Sequence, residues 1–119
     1  MKPGPVLAVM LVLVAACASA PARYLTSIEP LVGNWSGTVD LGGPVVFFYL
    51  SINADQTLAA HWGLNSSFGR ITIEHGEAAY QMSPPPLEGT LRLDEEDGTP
   101  TLHMDDLFAR FHAVVTRRR

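Results

Sequence analysis

From Leu31 onward apolar and polar positions alternate, and the alternation is broken at short intervals by residues that turn a chain. A period of two marks strands, because successive side chains point to opposite faces of a sheet. Trp35, Gly37 and Val39 alternate with Ser36, Thr38 and Asp40, and Gly42-Gly43-Pro44 ends the run. Val45 to Ile52 is β-branched and aromatic with little polarity, a pattern that predicts a strand covered on both faces. Asn53-Ala54-Asp55-Gln56 has the composition of a hairpin loop. Leu58, Ala60 and Trp62 follow in phase, and Gly63 to Ser67 reads as the next turn. Ile71 and Ile73 alternate with Arg70, Thr72 and Glu74 up to a tight turn at His75-Gly76. Ala78, Tyr80 and Met82 form the fifth segment, closed by Pro84-Pro85-Pro86, which lacks the N–H groups a ladder needs. Gly89, Leu91 and Leu93 alternate with Glu88, Thr90 and Arg92. Asp97-Gly98 is a strong hairpin signal, since both central positions of that turn need positive φ. Leu102 and Met104 alternate with Thr101 and His103, Asp105-Asp106 turns the chain a last time, and Phe108 to Thr116 is the final strand.

Eight short segments joined by seven short turns, with no helical period of any length, predict an all-β domain. Sequential hairpins have one economical closure, an antiparallel up-and-down barrel that pairs its own edges; a β-sandwich is the alternative. The inward phase of such a barrel is apolar: Trp35, Val39, Leu50, Ile52, Leu58, Trp62, Ile71, Ile73, Tyr80, Leu91, Leu93, Leu102, Met104, Phe111 and Val115. It also holds the small residues Ala60, Ala78, Gly89 and Ala113. An eight-stranded barrel is wide enough either to be filled by its side chains or to hold one small ligand. Leu50, Leu58, Ala60, Trp62, Ile73, Tyr80, Leu91, Met104 and Phe111 are the candidate lining of such a pocket.

The N-terminus has a different pattern. Lys2 is the one positive charge before residue 23, and Val6 to Ala16 is an unbroken apolar run. About eleven residues suit the apolar region of a signal peptide and fall short of the roughly 20 that cross a bilayer. Ala18-Ser19-Ala20 would serve an ordinary secretory cut. Val14-Ala15-Ala16-Cys17, placed directly after the apolar run, resembles the lipobox of bacterial lipoprotein precursors. That resemblance implies a signal peptide over residues 1–16 and a diacylglyceryl group on the Cys17 thiol. It also implies acylation, as by palmitate, of the new amino group. Two or more acyl chains make a stable anchor where one does not. Ala18 after the anchor, where an Asp would resemble an inner-membrane retention signal, points to the outer membrane of a two-membrane cell. Residues 18–30, small and Pro-containing at the start and closed by Pro30, read as a tether of about 45 Å reach. The other reading of the same stretch packs Tyr24, Leu25 and Ile28 back onto the domain as a cap.

Loss of residues 1–16 removes the one lysine and leaves seven Arg against twelve acidic side chains. A net acidic domain is a poor partner for nucleic acid. Cys17 is the only cysteine, so the domain has no internal disulfide to lean on.

Gly33-Asn34-Trp35 at the start of the first strand resembles the G-x-W signature of the lipocalin and calycin superfamily. The resemblance implies that Gly33 and Trp35 plug the closed end of the barrel and that an Arg near the last strand packs on the Trp ring. Arg110 and Arg117 are the two residues that can fill that role.

Little else in the chain points to chemistry. No serine sits in a nucleophile elbow, and no Gly-rich phosphate loop is present. His61, His75, His103 and His112 form no close ligand pair in sequence; three or four converging ligands are needed for zinc, and separate surface histidines are expected. Asp94-Glu95-Glu96-Asp97-Gly98 is contiguous, unlike the alternating ligands of a calcium loop, and reads as a solvated hairpin tip. No cofactor is expected. These features together predict a lipid-anchored, non-catalytic binding module of the cell envelope that takes a small apolar ligand. The alternative is a barrel with a filled core that contacts an envelope protein.

Overall fold

The computed structural model describes residues 24–108 and 110–118; the signal segment, Cys17 and residues 18–23 lie outside the described residues. Eight strands, β1 (Gly33–Asp40), β2 (Val45–Ile52), β3 (Thr57–Trp62), β4 (Asn65–Glu74), β5 (Glu77–Ser83), β6 (Leu87–Glu96), β7 (Thr99–Asp106) and β8 (His112–Arg117), form a closed antiparallel up-and-down barrel. The barrel closes where β1 meets β8, with Trp35 opposite Arg117 and Val39 opposite Ala113. Every strand therefore has two partners, and no ladder edge is left for another chain. A sandwich is excluded. Among the described residues, no helix is long and apolar enough to cross a membrane.

The alternation worked because one face of each strand is buried. Tyr80 and Met82 on β5, Leu91 and Leu93 on β6, and Leu102 and Met104 on β7 all point into one core. Three inward glycines let the sheet curl. A Cβ at Gly37, Gly69 or Gly89 would lie 2.0, 1.8 and 1.7 Å from the carbonyl oxygens of Val114, Gln81 and Asp105 on the neighbouring strand. The strands approach there more closely than any side chain allows, which is how a small barrel turns its corners.

Four expectations need correction. Val45 to Ile52 is covered on one face: Phe48, Leu50 and Ile52 are buried, but Val45, Phe47 and Tyr49 are exposed. A barrel has a single dry side, and no second layer covers β2: among the described contacts only the Arg118 guanidinium lies over its outer face, 5.7 Å from the Tyr49 ring centroid. The turn read at Gly63 to Ser67 is two residues long, because β4 already begins at Asn65, paired with Trp62, and Gly63 takes a positive φ. At the last turn β7 runs on through Asp106, and Phe108, placed in the final strand, is exposed. The buried Asp106 carboxylate holds that turn, accepting the Phe108 N–H at 3.2 Å and the Arg110 guanidinium at 3.1 Å. Finally, the stretch to residue 30 is not a free tether throughout. Leu25 and Ile28 are buried, the Leu25 N–H donates to Gly76 O at 2.9 Å, and Glu29–Leu31 makes a 3-10 turn that seats Leu31 in the core. Burying three aliphatic side chains outweighs the freedom of a linker. The cap reading describes this stretch, although Tyr24 itself stays largely exposed over Gly76.

Candidate functional site

The two ends of the barrel are closed by different means. At the end where β1 starts, Trp35 is fully buried and its Nε1–H donates to Leu31 O at 2.9 Å. Arg117, from the end of β8, lies over the Trp35 ring with its guanidinium carbon 4.6 Å from the centroid, and it also donates to Pro30 O. Of the two arginines considered, Arg117 is the one on the Trp. Arg110 sits at the opposite end, paired with Asp106 and lying over the Phe108 ring at 5.1 Å. Gly33 adopts φ +136°, which L side chains rarely adopt, so the glycine of the G-x-W pattern is required by the backbone entering β1.

At the other end three rings stack inside the barrel. Phe48 and Trp62, cross-strand partners on β2 and β3, have centroids 5.7 Å apart. Phe111 meets both edge-on at 5.4 Å. These separations are those of favourable aromatic pairs. Gly37, opposite Phe48, supplies no side chain and leaves the rings room. Phe48 was not assigned an inward role in the sequence because its strand appeared apolar on both faces; counting by twos from Leu50 and Ile52 would have found it.

Between the two stoppers lie the residues considered as a ligand lining. Leu50, Leu58, Ala60, Trp62, Tyr80, Leu91, Met104 and Phe111 are all buried in the core cluster, with Ile73 partly buried against it. The small Ala60 sits between Leu50 and Ser67 on its neighbouring strands. Ser67 is buried too and donates its hydroxyl to Pro84 O. Burial, together with the charges of Asp106 and Asp105, pushes the Tyr80 phenol well above its ordinary range. It therefore stays protonated, and donates to Asp105 O at 3.1 Å. A hollow of about 680 Å³ lies on the outer wall, and one of about 620 Å³ lies between the β5–β6 and β7–β8 turns beside Pro85, Phe108 and Arg110. The larger runs over β4, β5 and β6 past Arg70, Gln81, Glu88 and Thr90.

The outer wall of β6, β7 and β8 gathers charges that the sequence reading kept apart. His103 faces away from the core, yet its side chain is only 12% exposed. Its Nε2 lies 3.4 Å from Asp94 and 3.2 Å from Glu96, and its ring stacks on His112 at 6.1 Å. His112 in turn pairs with Asp105. The β6–β7 and β7–β8 registers place these residues on neighbouring strands. The expectation of separate surface histidines fails here, and Asp94 and Glu96 are not a purely solvated tip. His61 is exposed and shares a hydrogen bond of 2.8 Å with Ser66. Arg92 also holds Asp94, at 3.1 Å, so the cluster is accounted for as a cross-strand ion-pair network.

Asp106 is the most enclosed acid. Burial pushes its carboxyl up, but the Arg110 guanidinium and the Phe108 N–H together outweigh burial and hold it below the usual carboxylate range. Compared with known proteins, the chain matches no family model, no curated protein and no solved structure.

Proposed function

We propose that this protein is a lipid-anchored, non-catalytic interaction module of the cell envelope that makes its contacts from the outside of a filled barrel. One observation carries the second half of that reading: the rings of Phe48, Trp62 and Phe111 touch one another across one end of the interior, while Trp35 under Arg117 occupies the other. Admitting a small apolar ligand would require moving at least one of those rings and giving up aromatic contacts worth about 0.5–1.5 kcal/mol per pair. The lipid-anchored half rests on Val14-Ala15-Ala16-Cys17 and on its position after a short apolar run.

Each half has its own test. Residues 18–119, purified from the native host without detergent, should give the bare polypeptide mass in native mass spectrometry. A co-purifying lipid in near-stoichiometric amount would return the barrel to the carrier reading. For the anchor, Cys17→Ser should abolish acylation and release the full-length protein from membranes. Unmodified Cys17 on the wild-type product would end the lipoprotein reading whatever the barrel contains.

A further inference from the structure

In a closed up-and-down barrel alternate turns lie at the same end, so the topology sorts the seven turns into two sets. The β2–β3, β4–β5 and β6–β7 turns share the Trp35 end and are polar: Asp55, His75-Gly76 between Glu74 and Glu77, and Asp97-Gly98 after Glu95 and Glu96. The β1–β2, β3–β4, β5–β6 and β7–β8 turns share the other end and carry Leu41, Leu64, Pro85 and Leu107-Phe108 exposed. Phe47 and Phe68 flank them on the outer wall. Leu64 is 104% exposed, Phe47 73% and Phe108 70%. Of the exposed large hydrophobics among the described residues, only Tyr24 and Tyr49 lie away from this rim.

We infer that this rim docks on the interface of a lipid bilayer. Three features favour a membrane over a protein partner. The apolar groups stand on the tips of all four turns around a circumference, which fits a plane that yields to each tip rather than a single facing patch. The acids at this end have partners: Asp40 accepts the Gly42 N–H, Glu88 accepts from the Gln81 amide at 3.1 Å, Asp105 meets His112, and Asp106 is held by Arg110. More acids stand on the turns of the far end, away from headgroups: Asp55, Glu74, Glu77, Glu95, Glu96 and Asp97. Arg110 is 61% exposed beside Phe108, where an arginine can keep its charge at headgroup level while its neighbour enters the acyl boundary.

The inference deepens the interaction-module reading and rests on it, because it names what the outer surface meets. It is also compatible with an anchor at Cys17. The described chain begins at Tyr24 beside Gly76, at the polar end. The seven peptide steps from Cys17 to Tyr24 reach about 25 Å when extended. The ten residues of β4, which lead from the Gly76 turn to the rim, climb roughly 25 Å when tilted by about 40°. A fully extended tether therefore just reaches the plane of the rim, and both can enter one leaflet.

The test uses residues 18–119, which contain the whole core and both partners of every strand pair, and which lack cysteine. The probe is vesicles of phosphatidylcholine and phosphatidylethanolamine. The wild-type domain should float with them, and Leu64→Ser with Phe108→Ser should lower partitioning by about tenfold or more. Both positions are exposed, so an unchanged thermal melt verifies folding. Tyr24→Ser, at the polar end, should bind as wild type. An environment-sensitive dye on Leu64→Cys should shift to the blue with vesicles, and one on Asp97→Cys should not. No flotation at millimolar lipid, equal shifts at the two dye positions, or rim-dependent dimers in place of vesicle binding would each overturn the inference. Native mass spectrometry and Cys17→Ser report separately on the filled barrel and the anchor, so either reading can fail without the other.

Discussion

The Arg117 guanidinium covers the Trp35 ring at 4.6 Å while the indole N–H is spent on Leu31 O, so the last strand and the N-terminal cap are fastened to the same side chain. Trp35→Ala should cost about 3–5 kcal/mol in urea unfolding, because it empties the largest buried site and frees Leu31. Arg117→Ala should cost about 0.5–2 kcal/mol, the range of a cation–π contact from exposed to desolvated. Arg117→Lys should recover only part, since an ammonium cannot reproduce the planar stack. Arg110→Ala should leave the surroundings of Trp35 unchanged, readable in its indole N–H resonance.

The glycines that turn the barrel's corners should be separable from those in open loops. Gly89→Ala puts a methyl group into the Asp105 carbonyl and should destabilise by about 1–3 kcal/mol or more. Gly43→Ala meets nothing within 4 Å and should stay within about 0.5 kcal/mol of wild type. Equal melting of the two variants would refute the close strand approach.

Ala60 offers a direct reading of whether the interior is occupied. Ala60→Leu in a filled barrel is overpacking and should cost about 1–3 kcal/mol. In a hollow barrel the added side chain would fill space and stabilise. Thermal unfolding of this one variant decides between the two.

Asp106 should make the rim turn acid-sensitive. Its carboxyl is held below the usual range when folded, so its contribution is fully present above the unfolded carboxylate range and is lost as pH falls through the folded value. Asp106→Asn should therefore melt lower than wild type at neutral pH, and the difference should shrink on acidification. The protection factor of the Phe108 amide, its exchange corrected for the intrinsic pH dependence, should fall over the same interval. A difference independent of pH would remove the charge from the account.

Cross-strand charge on the outer wall should matter less than the rim turn. His103→Leu keeps the ring's approximate size and breaks the Asp94 and Glu96 contacts, and these partly exposed pairs are worth about 0–1 kcal/mol. A larger loss would show that the stack on His112 carries weight of its own.

Local composition was enough to find the strands and nearly all of the core. Period-two alternation needs only neighbours in sequence, and it placed Leu91, Leu93, Leu102 and Met104 inward correctly. Asp97-Gly98 and His75-Gly76 announced their turns through the φ values those positions require. The G-x-W pattern marked a glycine with positive φ and a buried tryptophan.

What escaped was whatever depended on a neighbour distant in the chain. Two arginines were equally eligible for Trp35 until the β1–β8 register brought Arg117 beside it. Val45, Phe47 and Tyr49 looked buried because composition cannot reveal that no second layer covers β2. Leu25 and Ile28 fitted a linker and a cap equally well, because their burial needs a barrel end already built to receive them. Alternation is a property of each segment and is written into it. Closure, register and the sorting of turns into a polar and an apolar end exist only once the eight segments pair, because the pairing that defines them joins residues as distant in the chain as Trp35 and Arg117.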